Sequence, residues 1–456
     1  MRLALHILLS LLKDGSMASR FGAILPLATL MLVACISVYI GTSSGNLIVP
    51  VALCYAVALL VLTWHRLDIA LALILILAPW VQNVSGGDFL KFSLAELHIF
   101  MVTIVQLAKT ILSRRTFSIG KMTGPVLLYM ALMGVSAYQG GIEREDIIAL
   151  FQTGIFCLIL PFVFTDRYLT PKMHRNILLA AACSTIVLGI LQIIAGPKVF
   201  ALGIHKNNMG QGMAAGISLW ICTWFDGAKG WWSKMVVPAI VIVTIALVFT
   251  LSRGAWFGAV CALVSLAIMY GRLQLLIRAA IVIVPLVGIM WNYLPKSDQE
   301  YASSFDRQKY DNIDARYNNF EQTSALIRES PFIGHGISVR KQLDATNLIL
   351  SSLAEGGIVG FVLFFVALWT YFTIVIRIAR KMPHSDPRFF LIAASCAVMI
   401  SRIGHAQFDH YWVRGASTIA WASVGMVLAV ERSLSVNRRR VSHPLAESLE
   451  SERLTV

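Results

Sequence analysis

The sequence predicts an all-α polytopic membrane protein with about 12–14 transmembrane helices and one long periplasmic loop that contains a short helix. Three observations predict this class: a hydrophobic composition, a series of apolar runs, and basic residues on alternate connections. Hydrophobic residues make up 57% of the chain and charged residues only 14%. A soluble domain carries about 25% charged residues, and soluble cores stop growing near ~250–300 residues. Lipid therefore solvates much of this surface.

The apolar runs are each close to the ~20 residues that a helix needs to cross a bilayer. The third and thirteenth are the weakest, and about twelve spans remain without them. In chain order the runs lie at 22–41, 46–64, 68–84, 95–112, 123–139, 148–165, 176–195, 209–225, 235–251, 254–270, 275–294, 347–376, 389–404 and 415–431.

The basic residues predict the orientation of these spans. The formal net charge is +14, and about 24 of the 38 lysines and arginines fall on connections that share one side if the N-terminus is cytoplasmic. Because basic residues mark cytoplasmic loops, both termini are predicted in the cytoplasm of a bacterium, as in a multi-pass protein of the inner membrane. The charge is then a feature of topology, and we expect membrane lipids and not nucleic acid as its partners.

The runs and the polar segments divide the chain into five parts. A connection of some fifty residues, as in the third part, is long for a mere linker and is more often functional. The parts are a cytoplasmic N-terminus at 1–21, a transmembrane helical bundle at 22–294, the long periplasmic loop at 295–346, C-terminal transmembrane helices at 347–432, and a cytoplasmic basic and polar tail at 433–456.

Two polar clusters on the predicted periplasmic side are short and rich in glycine. The first, 203–212, contains Lys206 and Asn207 and opens the eighth span, where a helix N-terminus favours anions. The second, 251–258, contains Arg253 close to the membrane boundary, where an unpaired charge is costly. An interfacial loop and an interfacial arginine are the competing structural interpretations.

The third cluster is the long loop and the start of the span that follows it. Residues 314–330 predict a surface helix, with Tyr317, Phe320, Ser324 and Ile327 on its inner stripe, and Gly334-His335-Gly336 predict a turn after it. The candidate polar residues of this cluster are Arg316, His335, Asn347 and Glu355.

The fourth cluster, 401–415, places two arginines, two histidines and one aspartate in a short connection. His405 and Asp409 have the i,i+4 spacing that makes two residues neighbours on a helix, and an aspartate that holds a histidine is a common way to prepare a general base. Too few ligands with suitable spacing are present to predict a metal site. The candidate residues are Arg402, His405, Asp409, His410 and Arg414.

Arginine forks fit phosphate and pyrophosphate groups, and histidine suits removal of a proton from a sugar hydroxyl. A membrane enzyme that combines them on one face would act on a lipid-linked pyrophosphate. The seven cysteines all lie in apolar runs and predict packing, with neither a disulfide framework nor a zinc site.

Several short motifs between Gly203 and Gly360 resemble the superfamily of Wzy-type polysaccharide polymerases and O-antigen ligases. They share their order and their predicted side of the membrane. The motifs are His205-Lys206-Asn207, Ser252-Arg253-Gly254-Ala255-Trp256, the loop helix with Arg316, Pro331-Phe332-Ile333-Gly334-His335-Gly336, and Asn347 together with Leu353-Ala354-Glu355-Gly356-Gly357.

The resemblance implies a multi-span helical enzyme that transfers glycans from undecaprenyl pyrophosphate at the periplasmic face. It implies an inverting, metal-independent transfer without a cofactor, in which arginines hold the pyrophosphate and a histidine activates the acceptor hydroxyl. The family often has His-Asn where the loop meets the next span, whereas this chain has Thr346-Asn347. The role of base is therefore expected at His335 first, then at His405 or His410.

The predicted function is polymerisation of lipid-linked repeat units of an exopolysaccharide or O-antigen. Arg253 and Arg316 are expected to bind the donor pyrophosphate, assisted by Lys206, Arg402 and Arg414. The partners are then a lipid-linked oligosaccharide donor, a glycan or lipid acceptor, and polysaccharide-assembly proteins. The alternatives are an O-antigen ligase that transfers the glycan to lipid A-core, a transporter of polysaccharide or lipid-linked saccharide, and a non-catalytic scaffold.

Overall fold

The structure, a computed structural model, describes residues 48–80, 93–112, 120–198, 201–227, 229–303, 311–339, 347–408, 415 and 417–453. These residues form helices joined by turns, which confirms the predicted all-α class. The helices are α1 (Ile48–His65), α2 (Leu67–Leu77), α3 (Leu94–Leu112), α4 (Thr123–Gln139), α5 (Arg144–Phe164), α6 (Pro171–Ala195), α7 (Lys206–Phe225), α8 (Trp231–Phe249), α9 (Arg253–Met269), α10 (Leu273–Tyr293), α11 (Lys296–Ser303), α12 (Asp311–Glu329), α13 (Leu348–Ala379), α14 (Pro387–His405) and α15 (Ser417–Arg453).

Seven helices in the described part of the chain are long and apolar enough to cross a membrane: α3, α5, α6, α8, most of α10, α13 and α14. Every predicted span from the second onward coincides with a helix, while the first, 22–41, lies outside the described residues. The third, 68–84, corresponds to the 11-residue α2, which is too short to cross by itself.

Two helices of the long loop lie among the described residues. The predicted surface helix at 314–330 is α12, whereas α11 was not predicted from the sequence. The predicted inner stripe of α12 is wrong in part, because Tyr317 and Phe320 are each 48% exposed and the fully buried side chain is Thr323. This helix packs against α13.

Backbone contacts divide the chain into two units. The described residues of the smaller unit are 48–73 and 98–112, where Tyr55 Oη hydrogen-bonds His98 Nδ1 at 3.0 Å. The larger unit comprises 74–97 and 118–456. All candidate site residues belong to the larger unit.

Close packing of α9 on α14 positions the most buried polar residues. Gly254, Gly258 and Ala262 lie four residues apart, so they share one face of α9. A Cβ at Gly258 would overlap the carbonyl oxygen of Ser401 on α14. Small residues at this spacing let two membrane helices approach closely, and the approach places the first turn of α9 beside the last turn of α14.

The connections of the larger unit lie at two ends of its helices. At the end that carries the long loop, here the loop end, Lys198 pairs with Asp298 at 2.5 Å, and the Leu348 amide donates to the Ala406 carbonyl at 2.8 Å. At the opposite end, Arg175 pairs with Asp226 at 2.8 Å. The connections alternate between the ends as the charge pattern predicts, while the side of the membrane that each end faces stays a prediction.

The helix α13 is broken at Gly357, although the sequence predicted an uninterrupted span at 347–376. Gly357 has φ 60° and ψ −164°, a conformation that is essentially restricted to glycine. The break frees backbone groups on both sides, and the turn 331–336 satisfies them. The His335 and Gly336 amides donate to the carbonyls of Ala354 and Glu355 at 2.9 and 3.0 Å.

The same turn also accepts hydrogen bonds from the other side of the break. The Ile358 amide donates to the Pro331 carbonyl at 2.8 Å and the Val359 amide to the Phe332 carbonyl at 3.3 Å. Non-helical backbone within a membrane helix persists only where such partners exist. Turn and break are thus one structural unit, which we call the docked turn.

Candidate functional site

Three basic side chains at the loop end contact Tyr301 of α11. Lys206 Nζ is 2.5 Å from Tyr301 Oη, and Arg253 Nη2 donates to the Tyr301 carbonyl at 3.4 Å. The ammonium groups of Lys198 and Lys206 lie 4.3 and 4.8 Å from the centroid of the tyrosine ring, within the range of a cation–π interaction. With Arg316, described below, we call these residues the cation cluster.

Two helix N-termini bring Lys206 and Arg253 to this place. Lys206 is the first residue of α7, and Arg253 is the first residue of α9. His205 caps α7, since its Nδ1 accepts from the Asn207 amide at 3.3 Å. The positive ends of both helix dipoles add to the side-chain charges. Asn207 lies in the first turn of α7, and its role in substrate binding stays a prediction.

Arg316 belongs to the cation cluster through charge and not through a hydrogen bond. It is exposed on α12 and lies within electrostatic range of Arg253, so the two guanidinium groups repel each other. Asp298 balances Lys198 at 2.5 Å, and Lys206 has Tyr301 and no carboxylate as its polar partner among the described residues. Counted over the described residues, the cluster therefore carries excess positive charge, which an anion with several oxygens would relieve.

Arg402 and His405 form a buried pair next to the start of α9. Each is 1% exposed, and Arg402 Nη1 lies 2.9 Å from His405 Nδ1. Guanidinium has donors and no acceptor, so Nδ1 must accept this bond and a neutral ring carries its proton on Nε2. In this arrangement the Nδ1 lone pair is occupied, which weakens the case for His405 as a base.

His335 has the opposite arrangement. Its Nε2 lies 3.0 Å from the Leu326 carbonyl oxygen, and a carbonyl can only accept, so Nε2 carries the proton. The Nδ1 lone pair is then the one that can accept a proton from a substrate. Glu329 lies near the same Nε2, at 3.9 Å. A histidine oriented through one ring nitrogen while the other is basic is typical of a general base.

His335 and Arg316 lie near opposite ends of α12. Ten residues separate Arg316 from Leu326, the partner of His335, which corresponds to about 15 Å along a helix. The structure brings Lys206, Arg253 and Arg316 together, with Arg402 and His405 beside them, but it does not bring His335 into the cation cluster.

Asn347 and Glu355 have structural partners on α13. Asn347 is the N-cap, and its Oδ1 accepts from the Leu350 amide at 2.9 Å. Glu355 is 3% exposed, and its Oε1 accepts from Ser351 Oγ at 2.8 Å. A role of either in substrate binding stays a prediction.

Some predicted site residues lie outside the described residues: Asp409, His410 and Arg414, together with Thr346.

Tyr301 and Asp298 are contributors that the sequence reasoning missed. They lie one turn apart on α11 and contact Lys206 and Lys198 respectively. The available signal was the i,i+3 spacing of an acid and an aromatic residue in a polar stretch, which is compatible with one face of a short helix. Among the described residues no group of three or more His, Cys, Asp and Glu side chains could hold a metal ion.

Residues 238–365 match a family model described as O-antigen ligase. Over these residues the chain is similar to the O-antigen ligase family. The match includes Arg253, Arg316 and His335, and it confirms the resemblance to the superfamily over the overlap of the two ranges. The motif 205–207 precedes the matched residues. No curated protein matches this chain. The family domain supports a glycan-processing function for this multi-pass membrane protein.

Proposed function

We propose that this protein polymerises lipid-linked repeat units of an exopolysaccharide or O-antigen at the periplasmic face of the bacterial inner membrane. The donor is a saccharide on undecaprenyl pyrophosphate, and the acceptor is the end of a second glycan. The reaction is an inverting glycosyl transfer without a metal. The observation that carries the proposal is the cation cluster at the loop end. Its two arginines, Arg253 and Arg316, lie within the segment that matches the family model.

The cation cluster fits the part of the donor that leaves. Transfer forms a bond between the acceptor oxygen and the anomeric carbon, and it breaks the bond from that carbon to the pyrophosphate oxygen. Negative charge then develops on the leaving oxygen. Lys206 and Arg253 both hydrogen-bond Tyr301, and Arg316 adds a third, exposed cation. Preorganised cations stabilise such a charge without reorganisation at the moment of transfer.

The acceptor hydroxyl must lose a proton as the new bond forms, and His335 Nδ1 is the nitrogen best prepared to take it. The anomeric carbon is adjacent to the pyrophosphate, however, while about 15 Å of α12 separates Arg316 from the partner of His335. Either donor binding brings His335 closer to the cation cluster, or the transfer proceeds without a histidine base. The variant His335→Gln distinguishes these two courses.

The proposal is tested by replacing each arginine in cells that make the polymer. Arg253→Ala and Arg316→Ala should each lower polymer yield at least about 100-fold, because each removes a charge that stabilises the leaving group. Yield is measured by gel analysis of extracted glycan, and protein level by immunoblot of the membrane fraction. Arg272→Ala is the matched control, since Arg272 is an exposed arginine at the opposite end. Full yield from both site variants would refute the pyrophosphate-binding role.

An O-antigen ligase is the second candidate, and the description of the matched family favours it. A ligase would transfer a finished glycan to lipid A-core, and the same cation cluster would hold the same pyrophosphate. Deletion of the gene separates the two functions. Loss of long chains with accumulation of single repeat units is expected for a polymerase, whereas intact polymer retained on its lipid carrier would identify a ligase.

A further inference from the structure

A second charged site lies at the opposite end of the larger unit, far along the helices from the cation cluster. A cavity of about 310 Å³ opens there between the end of α13, the start of α14, α15, and Lys121, which lies two residues before α4. Six charged side chains line it: Lys121, Arg377, Lys381, Asp386, Arg388 and Glu431. We call it the basic cavity. The proposed glycan transfer at the loop end makes no use of it.

The ion pairs of the basic cavity leave an excess of positive charge. Glu431 is shared by Lys121 at 2.5 Å and Arg377 at 3.6 Å. Asp386 pairs with Arg388 at 2.6 Å. Four cations thus face two carboxylates, and the net charge of the lining is about +2 when all six groups are ionised.

Asp386 keeps its negative charge near neutral pH. The Arg388 side chain hydrogen-bonds Asp386 and holds the pKa of that carboxyl below its usual value. Protonation of Asp386 would therefore require acid. Lys381 is exposed and has no carboxylate partner in the part of the chain that the structure describes.

Apolar side chains complete the wall. Ile378, Met382, Pro383 and Leu434 line the same cavity, and the cavity lies where apolar helices end. A ligand that suits this lining has an anionic group for the cations and an apolar part for the wall. Basic pockets between membrane helices bind phosphate-bearing head groups for these reasons.

We propose that the basic cavity binds the phosphate of an anionic lipid head group, with Lys381 as its principal free cation. Arg377 and Arg388 donate to the same phosphate from the two walls while they keep their carboxylate partners. The glycerol and the first acyl carbons lie against Met382 and Leu434. The recognised chemistry is the phosphate group, so free phosphate is the competing source that the experiment must separate.

The test uses the full chain purified in detergent and measures the thermal unfolding midpoint. Dioctanoyl phosphatidylglycerol should raise the midpoint, and dioctanoyl phosphatidylcholine at the same concentration should not. Lys381→Gln should weaken the apparent affinity for phosphatidylglycerol about fivefold, because one basic residue near a lipid surface contributes on the order of a fivefold factor. Arg380→Gln is the matched control, since Arg380 is also exposed but does not line the cavity.

Each outcome decides the proposal. A loss of affinity in Lys381→Gln but not in Arg380→Gln supports the site. Equal effects of both variants, or of neither, would overturn it. Inorganic phosphate that reproduces the midpoint shift with the same dependence on Lys381 would support phosphate recognition and reject the lipid as its source. Lys121→Gln gives a second reading of the same site, and polymer yield in all these variants reports separately on the transferase function.

Discussion

At the scale of single residues, hydrogen-bond partners separate the candidate histidines. A guanidinium group occupies His405 Nδ1, because Arg402 can only donate. A backbone carbonyl engages His335 Nε2 and leaves Nδ1 as the basic nitrogen. His335 and His405, both candidates for the base from the sequence, therefore differ in their capacity to accept a proton.

Two substitutions test this difference while they preserve the observed hydrogen bonds. Glutamine places a donor near the position of Nε2, so His335→Gln can keep the bond to the Leu326 carbonyl but has no basic nitrogen. If His335 is the base, polymer yield should fall about 100-fold or more, since general base catalysis contributes typically 10²–10⁴-fold. Yield is compared with the amount of folded protein recovered from membranes.

The corresponding control is His405→Asn, in which the amide oxygen replaces Nδ1 as the acceptor for Arg402. Most of the yield should remain if His405 only positions that arginine. Normal yield from His335→Gln would show that the transfer needs no base at this position. A complete loss in His405→Asn at normal protein level would instead move the proton transfer to the buried pair.

At the scale of elements, the docked turn joins the long loop to a membrane helix. The turn 331–336 and the break at Gly357 satisfy each other's backbone groups. A Cβ at Gly334 would lie 2.5 Å from the carbonyl carbon of Glu355, so the chains meet with no room for a side chain. This contact fixes where α12 ends and thereby where His335 lies. The turn therefore holds His335 in place relative to α12 and α13.

Gly357→Ala should destabilise the protein by about 3 kcal/mol or more. An alanine would be strained in this conformation, and its Cβ would overlap the Phe332 carbonyl. The unfolding midpoint of the detergent-purified protein measures the effect. Gly134→Ala on α4 is the control, because a Cβ at Gly134 meets nothing within 4 Å. Equal midpoints for the two variants would mean that the turn does not dock as described.

The docked turn also shows where sequence reasoning reached its limit. Local residue types predicted α12 and the turn at 334–336, because a polar helix and closely spaced glycines are signals within a few positions. The break in α13 could not be predicted from local residue types, because it is stabilised by hydrogen bonds to residues about twenty or more positions away in the sequence. The motifs around His335 and Glu355 were therefore predicted as separate contributors, whereas the structure pairs their backbones.

At the scale of the whole larger unit, the two ends of the helices carry different polar groups. The predicted spans and their alternation could be derived from sequence because each rests on about 20 residues or on charges summed over many connections. The meeting of Lys206, Arg253 and Tyr301 could not, because it depends on how α7, α9 and α11 pack. A prediction that averages over many residues tolerates errors at single positions, whereas the prediction of an individual contact does not.

The proposed function requires that the loop end face the periplasm. Reporter proteins inserted at the two ends test this orientation. Alkaline phosphatase inserted near Asp311 should be active, since the basic residues predict a periplasmic loop. Green fluorescent protein inserted at Ser385, in the connection between α13 and α14, should fluoresce in the cytoplasm. The reverse pair of signals would place the cation cluster in the cytoplasm, where a periplasmic transfer is impossible. Equal signals from both sites would contradict the two-ended arrangement, because α13 alone separates the loop end from Ser385.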